Sequence, residues 1–210
     1  MIKILVVGLF LVVGLFASNV KNEDISLYIP KCEKLIDKHY YSVCWNDELG
    51  VADAGWTIID GSKIDKKNIV KRATFYVNDK VQTLKPEQIE MPNQRGHTFA
   101  NDNNLDYDSE ALKSTYDMIN ITAMHQTINV GAWRKVENRG NILAKDIGKV
   151  ISITLVEYGG EKYNIQKYPL SYTRIYVTED EHECYKVDNL DRKSGQLNSY
   201  KIDCQLIIKH

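Results

Sequence analysis

Four cysteines constrain this chain before any periodicity is read: Cys32 and Cys44 near one end, Cys184 and Cys204 near the other. An even number of cysteines in an exported chain favours disulfides over metal binding or redox work. Four allow three pairings. Cys32–Cys44 and Cys184–Cys204 are preferred, because each closes a short loop at one end of a domain. A metal site is the rival reading, and no Cys-x-x-Cys spacing supports it.

Export is read from the first twenty residues. Met1-Ile2-Lys3 is a short positive start, Ile4 to Phe16 is an unbroken run of apolar residues and glycines, and Ala17-Ser18 supplies small residues before a polar stretch. That is the plan of a secretory signal peptide over residues 1–20, and the run is short for a membrane span. An uncleaved anchor is the alternative, and it too places the rest of the chain outside the cytoplasm. No cysteine stands at the cleavage point to mark a lipoprotein. The expectation is a secreted or periplasmic protein with no stable membrane association after cleavage, and one domain over residues 21–210.

A composition of 43% hydrophobic and 26% charged residues is that of a globular protein. The net charge of -1 gives no global electrostatic case for nucleic acid, so any such case rests on a local patch. Lys63, Lys66, Lys67, Lys71 and Arg72 form one candidate, with a solvated loop as the plainer reading.

Along the chain, Pro30 is placed to begin a helix over Cys32 to Tyr40, and Tyr41 to Trp45 reads as a strand. Ala54 to Ile59 is a second strand, ended by Asp60-Gly61. Pro86 to Ile89 suits one helical turn, and Met91 to Tyr107 reads as a long loop with a brief strand around Arg95 and His97. Asp108-Ser109-Glu110 caps a helix through Tyr116. Met118 to Thr122 reads as a strand, and a helix runs from about Ile128 to Asn138, continuing past Gly140 to Ile147. Lys149 to Glu157, Tyr172 to Thr178, Glu183 to Val187 and Tyr200 to Ile208 read as strands. The predicted class is α+β, a mixed and mostly antiparallel central sheet flanked by helices.

The chemistry concentrates between Gln94 and Glu137. Cleaving a phosphodiester needs a base for water, positive charge against the phosphate, and help for the leaving oxygen. His97 is the natural base, since an unperturbed imidazole with a pKa near ~6.5 is largely neutral at working pH. Asn129 offers a neutral oxygen that suits magnesium, and Glu137, two helical turns later, is expected on the same helix face. Arg95 can neutralise a phosphate oxygen. Each residue also has a local role open to it: Asn129 as a helix cap, Trp133 as core, Asn120-Ile121-Thr122 as a glycosylation acceptor in what reads as a buried strand. His125 could join His97 around zinc, but no third ligand stands at the needed spacing.

Taken together, Arg95-Gly96-His97, Asn120-Ile121-Thr122, Asn129-Val130-Gly131-Ala132-Trp133 and Glu137 resemble the DNA/RNA non-specific endonucleases, the ββα-metal group that includes mitochondrial endonuclease G. The likeness is strongest over Asn93 to Glu137. It extends through the Trp56 strand, Arg72-Ala73-Thr74-Phe75, and the Tyr172 strand followed by Cys184-Tyr185-Lys186-Val187. It implies a ββα-metal finger in which His97 is the general base and Asn129 the direct ligand of one hydrated Mg2+ or Mn2+. Glu137 would hold that ion through water, Asn120 would orient His97 or the water shell, and Arg95 would complete the catalytic set. DNA and RNA would be the substrates, met by Arg72, Arg134, Lys135 and Arg139 and cleaved without sequence specificity. Three positions depart from the family pattern: Gln94 where aspartate is usual, Ala123-Met124 where Pro-Gln is common, and Asn141 where a basic residue often stands. The departures motivate one alternative, a catalytically silent nucleic-acid-binding or interaction domain on the same scaffold.

Overall fold

The computed structural model describes residues 22–29, 31–66, 72–78, 80–159, 168–190 and 193–208. The expected signal peptide and the basic residues Lys67 and Lys71 lie outside them. Helix α1 (Asn22–Tyr28) leads into strands β1 (Lys34–Asp37), β2 (Tyr41–Asn46) and β3 (Val51–Asp60). Then come β4 (Asn93–His97), the short α2 (Asp102–Leu105), α3 (Ser109–Thr115), β5 (Ile121–His125) and α4 (Arg134–Ile147). The chain closes with β6 (Lys149–Tyr158), β7 (Pro169–Val177), β8 (His182–Asp188) and β9 (Lys201–Ile202).

Seven strands make one antiparallel sheet in the order β1-β2-β3-β6-β7-β8-β9, while β4 and β5 pair separately. Strands β3 and β6 are neighbours, with Ala54 opposite Leu155 and Asp60 opposite Lys149. The segment between them, residues 61–148, is therefore an insertion, and its described residues lie across one face of the sheet and include the whole Gln94–Glu137 stretch. The sheet's inner face presents Ile59, Tyr172, Tyr176 and Tyr185, and the insertion answers with Phe99, Met124, Ile128, Trp133 and Val136. Helix α4 comes close enough at Gly140 that a Cβ there would lie 2.5 Å from the Tyr176 ring. The Tyr176 hydroxyl donates to the Val136 carbonyl at 2.7 Å, locking helix to sheet. On the other face, Ile25 and Tyr28 from α1, with Ile29 just after it, cover Ile151, Ile153, Ile175 and Val177.

Both preferred disulfides are present, Cys32–Cys44 and Cys184–Cys204. The α+β class and the mostly antiparallel sheet agree with the sequence reading.

Three elements differ from it. The segment from Cys32 to Tyr40 is not a helix: Lys34–Asp37 pairs with β2, and His39 takes a left-handed turn at φ 68. Leu35 is exposed and Ile36 buried, so the apolar pair splits across two faces of a strand rather than sharing one helix side. The strand expected from Met118 begins three residues later. The Asp117 side chain accepts from the Ile119 amide and winds Met118–Asn120 into a 3-10 turn first. From Tyr200 to Ile208 only Lys201–Ile202 is strand, because Asp203 caps another 3-10 turn at Cys204–Leu206.

Candidate active site

Strands β4 and β5 form a two-stranded ribbon with His97 opposite Ile121 and Gln94 opposite Met124. Alternation places Arg95 and His97 on one side of it and Gln94 and Gly96 on the other. A Cβ on Gly96 would lie 2.7 Å from the Met124 Cβ, so only glycine lets the ribbon close at that point. His97 is held by its surroundings. Its carbonyl accepts from the Trp133 indole at 3.1 Å, and its ring meets Tyr116 edge-on at 5.0 Å, with Phe75 at 6.0 Å.

Asn120 fixes the turn that follows. Its Oδ1 accepts from the amides of Phe99 at 3.0 Å and Ala100 at 2.9 Å. Its Nδ2 donates to the carbonyls of Ala100 and Thr115, each at 2.8 Å. All its hydrogen-bonding capacity is engaged in the interior, and it does not reach the cleft. Asn120 was expected to orient His97 or the water shell; in the structure its side chain shapes the backbone that follows His97, and its burial makes it a poor glycosylation acceptor.

Asn129 and Glu137 come from one continuous helical run with an irregular start. Residues Ile128–Trp133 form a π-helical segment that passes directly into α4. In an uninterrupted α-helix, residues eight apart are about 80° out of register, at about 100° per residue. The wider π turn, bonded i to i+5, winds less per residue and takes up much of that offset. The two side chains thus share a cleft through the π turn and not, as expected, through plain α spacing. The Asn129 Nδ2 donates to Gln94 Oε1 at 2.9 Å, and among the described residues its Oδ1 accepts no hydrogen bond.

These side chains meet at a cleft of about 730 Å³, lined among others by Arg72, Gln94, Arg95, His97, Asn129, Arg134 and Glu137. Among the described lining residues three arginines face one glutamate, a local excess of positive charge on a chain whose net charge is -1. Arg95 stacks on the Phe75 ring at 5.0 Å and donates to the Pro86 carbonyl at 3.2 Å, leaving most of its donors for a ligand. The sequence model of the DNA/RNA non-specific endonucleases matches residues 21–207. This chain belongs to that family. One chain of the crystal structure titled the EndoG/EndoGI complex, on the mechanism of EndoG inhibition, shares the fold. It superposes with a TM-score of 0.72 at 14% identity, covering 90% of this chain and 89% of that chain. No curated protein matches in sequence.

Two residues expected to meet nucleic acid in this endonuclease are placed elsewhere. Arg139 does not line the cleft: its Nε donates to Glu183 Oε2 at 2.8 Å and its Nη2 to Glu183 Oε1, a two-pronged pair across to β8. The Tyr185 hydroxyl donates to the same carboxylate at 2.6 Å. The hydrogen bonds from Arg139 hold the Glu183 carboxyl down at about 2, against the effect of its burial. Lys135 donates to the Gly195 carbonyl at 2.7 Å, away from the cleft wall. Arg72 and Arg134 do line it.

Sequence reasoning passed over Phe75 and Tyr116, which flank His97, and Arg174. Arg174 is buried at 2% exposure, donates to the Thr98 carbonyl at 3.0 Å and to Ser152 Oγ, and stacks on Trp133 at 4.6 Å. Its signal was readable: a cation between Tyr172 and Tyr176 in a strand sits on the core-facing side.

The donor set suits a hard cation. It offers one amide oxygen, one carboxylate and an open cleft with room for water. Among the described residues no group of three or more His, Cys, Asp and Glu could form a protein cage of the zinc type.

Proposed function

We propose that this endonuclease hydrolyses phosphodiester bonds of DNA and RNA without sequence specificity, using His97 as general base and one hydrated Mg2+ or Mn2+. The observation that carries the reading is the convergence of His97, Asn129 and Glu137 on a single arginine-lined cleft. His97 takes the proton of an attacking water, the new P–O bond forms, and the bond to the 3′ oxygen breaks, that oxygen taking a proton from water to leave a 3′ hydroxyl and a 5′ phosphate. Asn129 Oδ1 would hold the cation directly and Glu137 through water. When bound, the ion supplies positive charge against the phosphate and the departing oxygen. Arg72, Arg95 and Arg134 hold phosphate oxygens, contacts that carry no base information, which is the basis for non-specificity.

Export through residues 1–20 to a secreted or periplasmic location is part of the same proposal. The two disulfides support it, since they persist in oxidising compartments. No described helix is long and apolar enough to cross a membrane.

The test is digestion of plasmid DNA and of RNA by the mature chain with Mg2+, Mn2+ or EDTA. Cleavage of both polymers, abolished by EDTA, is expected. His97→Ala should lower the rate by about 10²–10⁴-fold with folding and nucleic-acid binding retained. No nicking with any divalent ion, or a His97→Ala rate close to that of the parent, overturns the proposal.

A further inference from the structure

We infer that Gln94 sets how tightly the cleft takes a divalent cation, by deciding which end of the Asn129 amide faces it. The inference rests on the metal-dependent reading above. Among the described residues, Gln94 Oε1 is the only hydrogen-bond partner of the Asn129 side chain, at 2.9 Å, so this one bond is what restrains the amide. In that arrangement Asn129 gives its Nδ2 to Gln94 and keeps its Oδ1 for the cleft.

A carboxamide partner is two-faced, because it both donates and accepts. If both amides rotate by half a turn, Gln94 Nε2 donates to Asn129 Oδ1 in the same place, and the oxygen a cation needs is consumed. A carboxylate of the same length accepts only, so it would permit the first arrangement and forbid the second. It would also add a negative charge beside the ion. Gln94 therefore does half of a positioning residue's work. It holds Asn129 in place without committing the amide, and the apparent affinity for a cation falls with the fraction of molecules offering Oδ1. Among the described residues, Glu137 is then the sole carboxylate lining the cleft.

The closing experiment uses Mn2+ alone, followed by electron paramagnetic resonance and calorimetry on the mature chain without substrate. Wild type, Gln94→Glu, Gln94→Ala and Asn129→Ala are compared, each with its melting temperature in EDTA to show that it is folded. Gln94→Glu should bind Mn2+ about ten-fold more tightly than wild type, and Gln94→Ala about ten-fold more weakly, the scale seen when a partner of a metal ligand is changed. Added charge alone would tighten Gln94→Glu and leave Gln94→Ala at the wild-type affinity, and that result overturns the positioning role. If both Gln94 variants match wild type while Asn129→Ala loses the ion, the inference fails and the metal-ligand reading stands. If Asn129→Ala binds Mn2+ as wild type does, the metal-ligand reading fails and takes the inference with it.

Discussion

Arg139→Met separates a structural cation from a substrate-binding one. In the folded protein the Glu183 side chain is 6% exposed and that of Arg139 27% exposed, and two hydrogen bonds join them. Removing one partner of a fully buried ion pair costs about 3–5 kcal/mol, because the remaining charge is left without compensation. Here water reaches part of the arginine, and the Tyr185 hydroxyl still serves Glu183, so about 2–3 kcal/mol is the better figure. For a domain of this size that is roughly a 5–10 °C fall in melting temperature. The assay is thermal unfolding with disulfides intact, beside DNA binding in EDTA across a salt series. Arg139→Met should melt lower and keep the parent's salt slope. Arg134→Met, at the cleft wall, should melt like the parent and lose about one unit of slope. Replacing Arg139 and Glu183 together by apolar residues of similar size should recover much of the loss. An Arg139→Met protein with parental melting and a shallower salt slope would refute the assignment.

Two other outcomes follow from the same structure. Reducing the disulfides, which span 12 and 20 residues, should remove about 3 kcal/mol each, read as a lower melting temperature in reductant; unchanged melting would show that neither loop constrains the unfolded chain. Because the folded Glu183 carboxyl titrates at about 2, below its unfolded value, its contribution is complete above about pH 5 and is lost as pH falls toward 2. The melting difference between wild type and Glu183→Gln should therefore shrink over that window, and a difference that stays constant down to pH 2 would contradict the pairing.

Much of the site was legible because its signals are local in the chain. A glycine between Arg95 and His97 marks a strand that must close tightly, and Asp108 caps α3 with bonds to Glu110 and Ala111. What was not legible depends on residues far apart in sequence. Arg139 and Asn120 look like free polar groups until Glu183 and the Phe99-Ala100 backbone are brought beside them by the fold. Periodicity misled at Leu35-Ile36 because a two-residue apolar pair fits both a helix and a strand, and pairing with β2 decided it. The π turn at Ile128–Trp133 is invisible to a period of 3.6, yet it sets the relation between Asn129 and Glu137.

The insertion between β3 and β6 explains how one scaffold supports a rigid site on a segment of irregular structure. The sheet closes without the insertion's help, since β3 and β6 pair directly along seven positions. Residues 61–148 then need only a few fixed links to the inner face. Arg174 supplies one through Thr98, the residue after His97, and Tyr176 another through Val136, the residue before Glu137. Both links are side chains of one strand, β7, spaced two apart, so a single element registers the ribbon that carries His97 and the helix that carries Glu137 against each other. Trp133, stacked under Arg174 and bonded to the His97 carbonyl, ties the two halves together directly. Positional precision in this endonuclease thus comes from the sheet beneath the site.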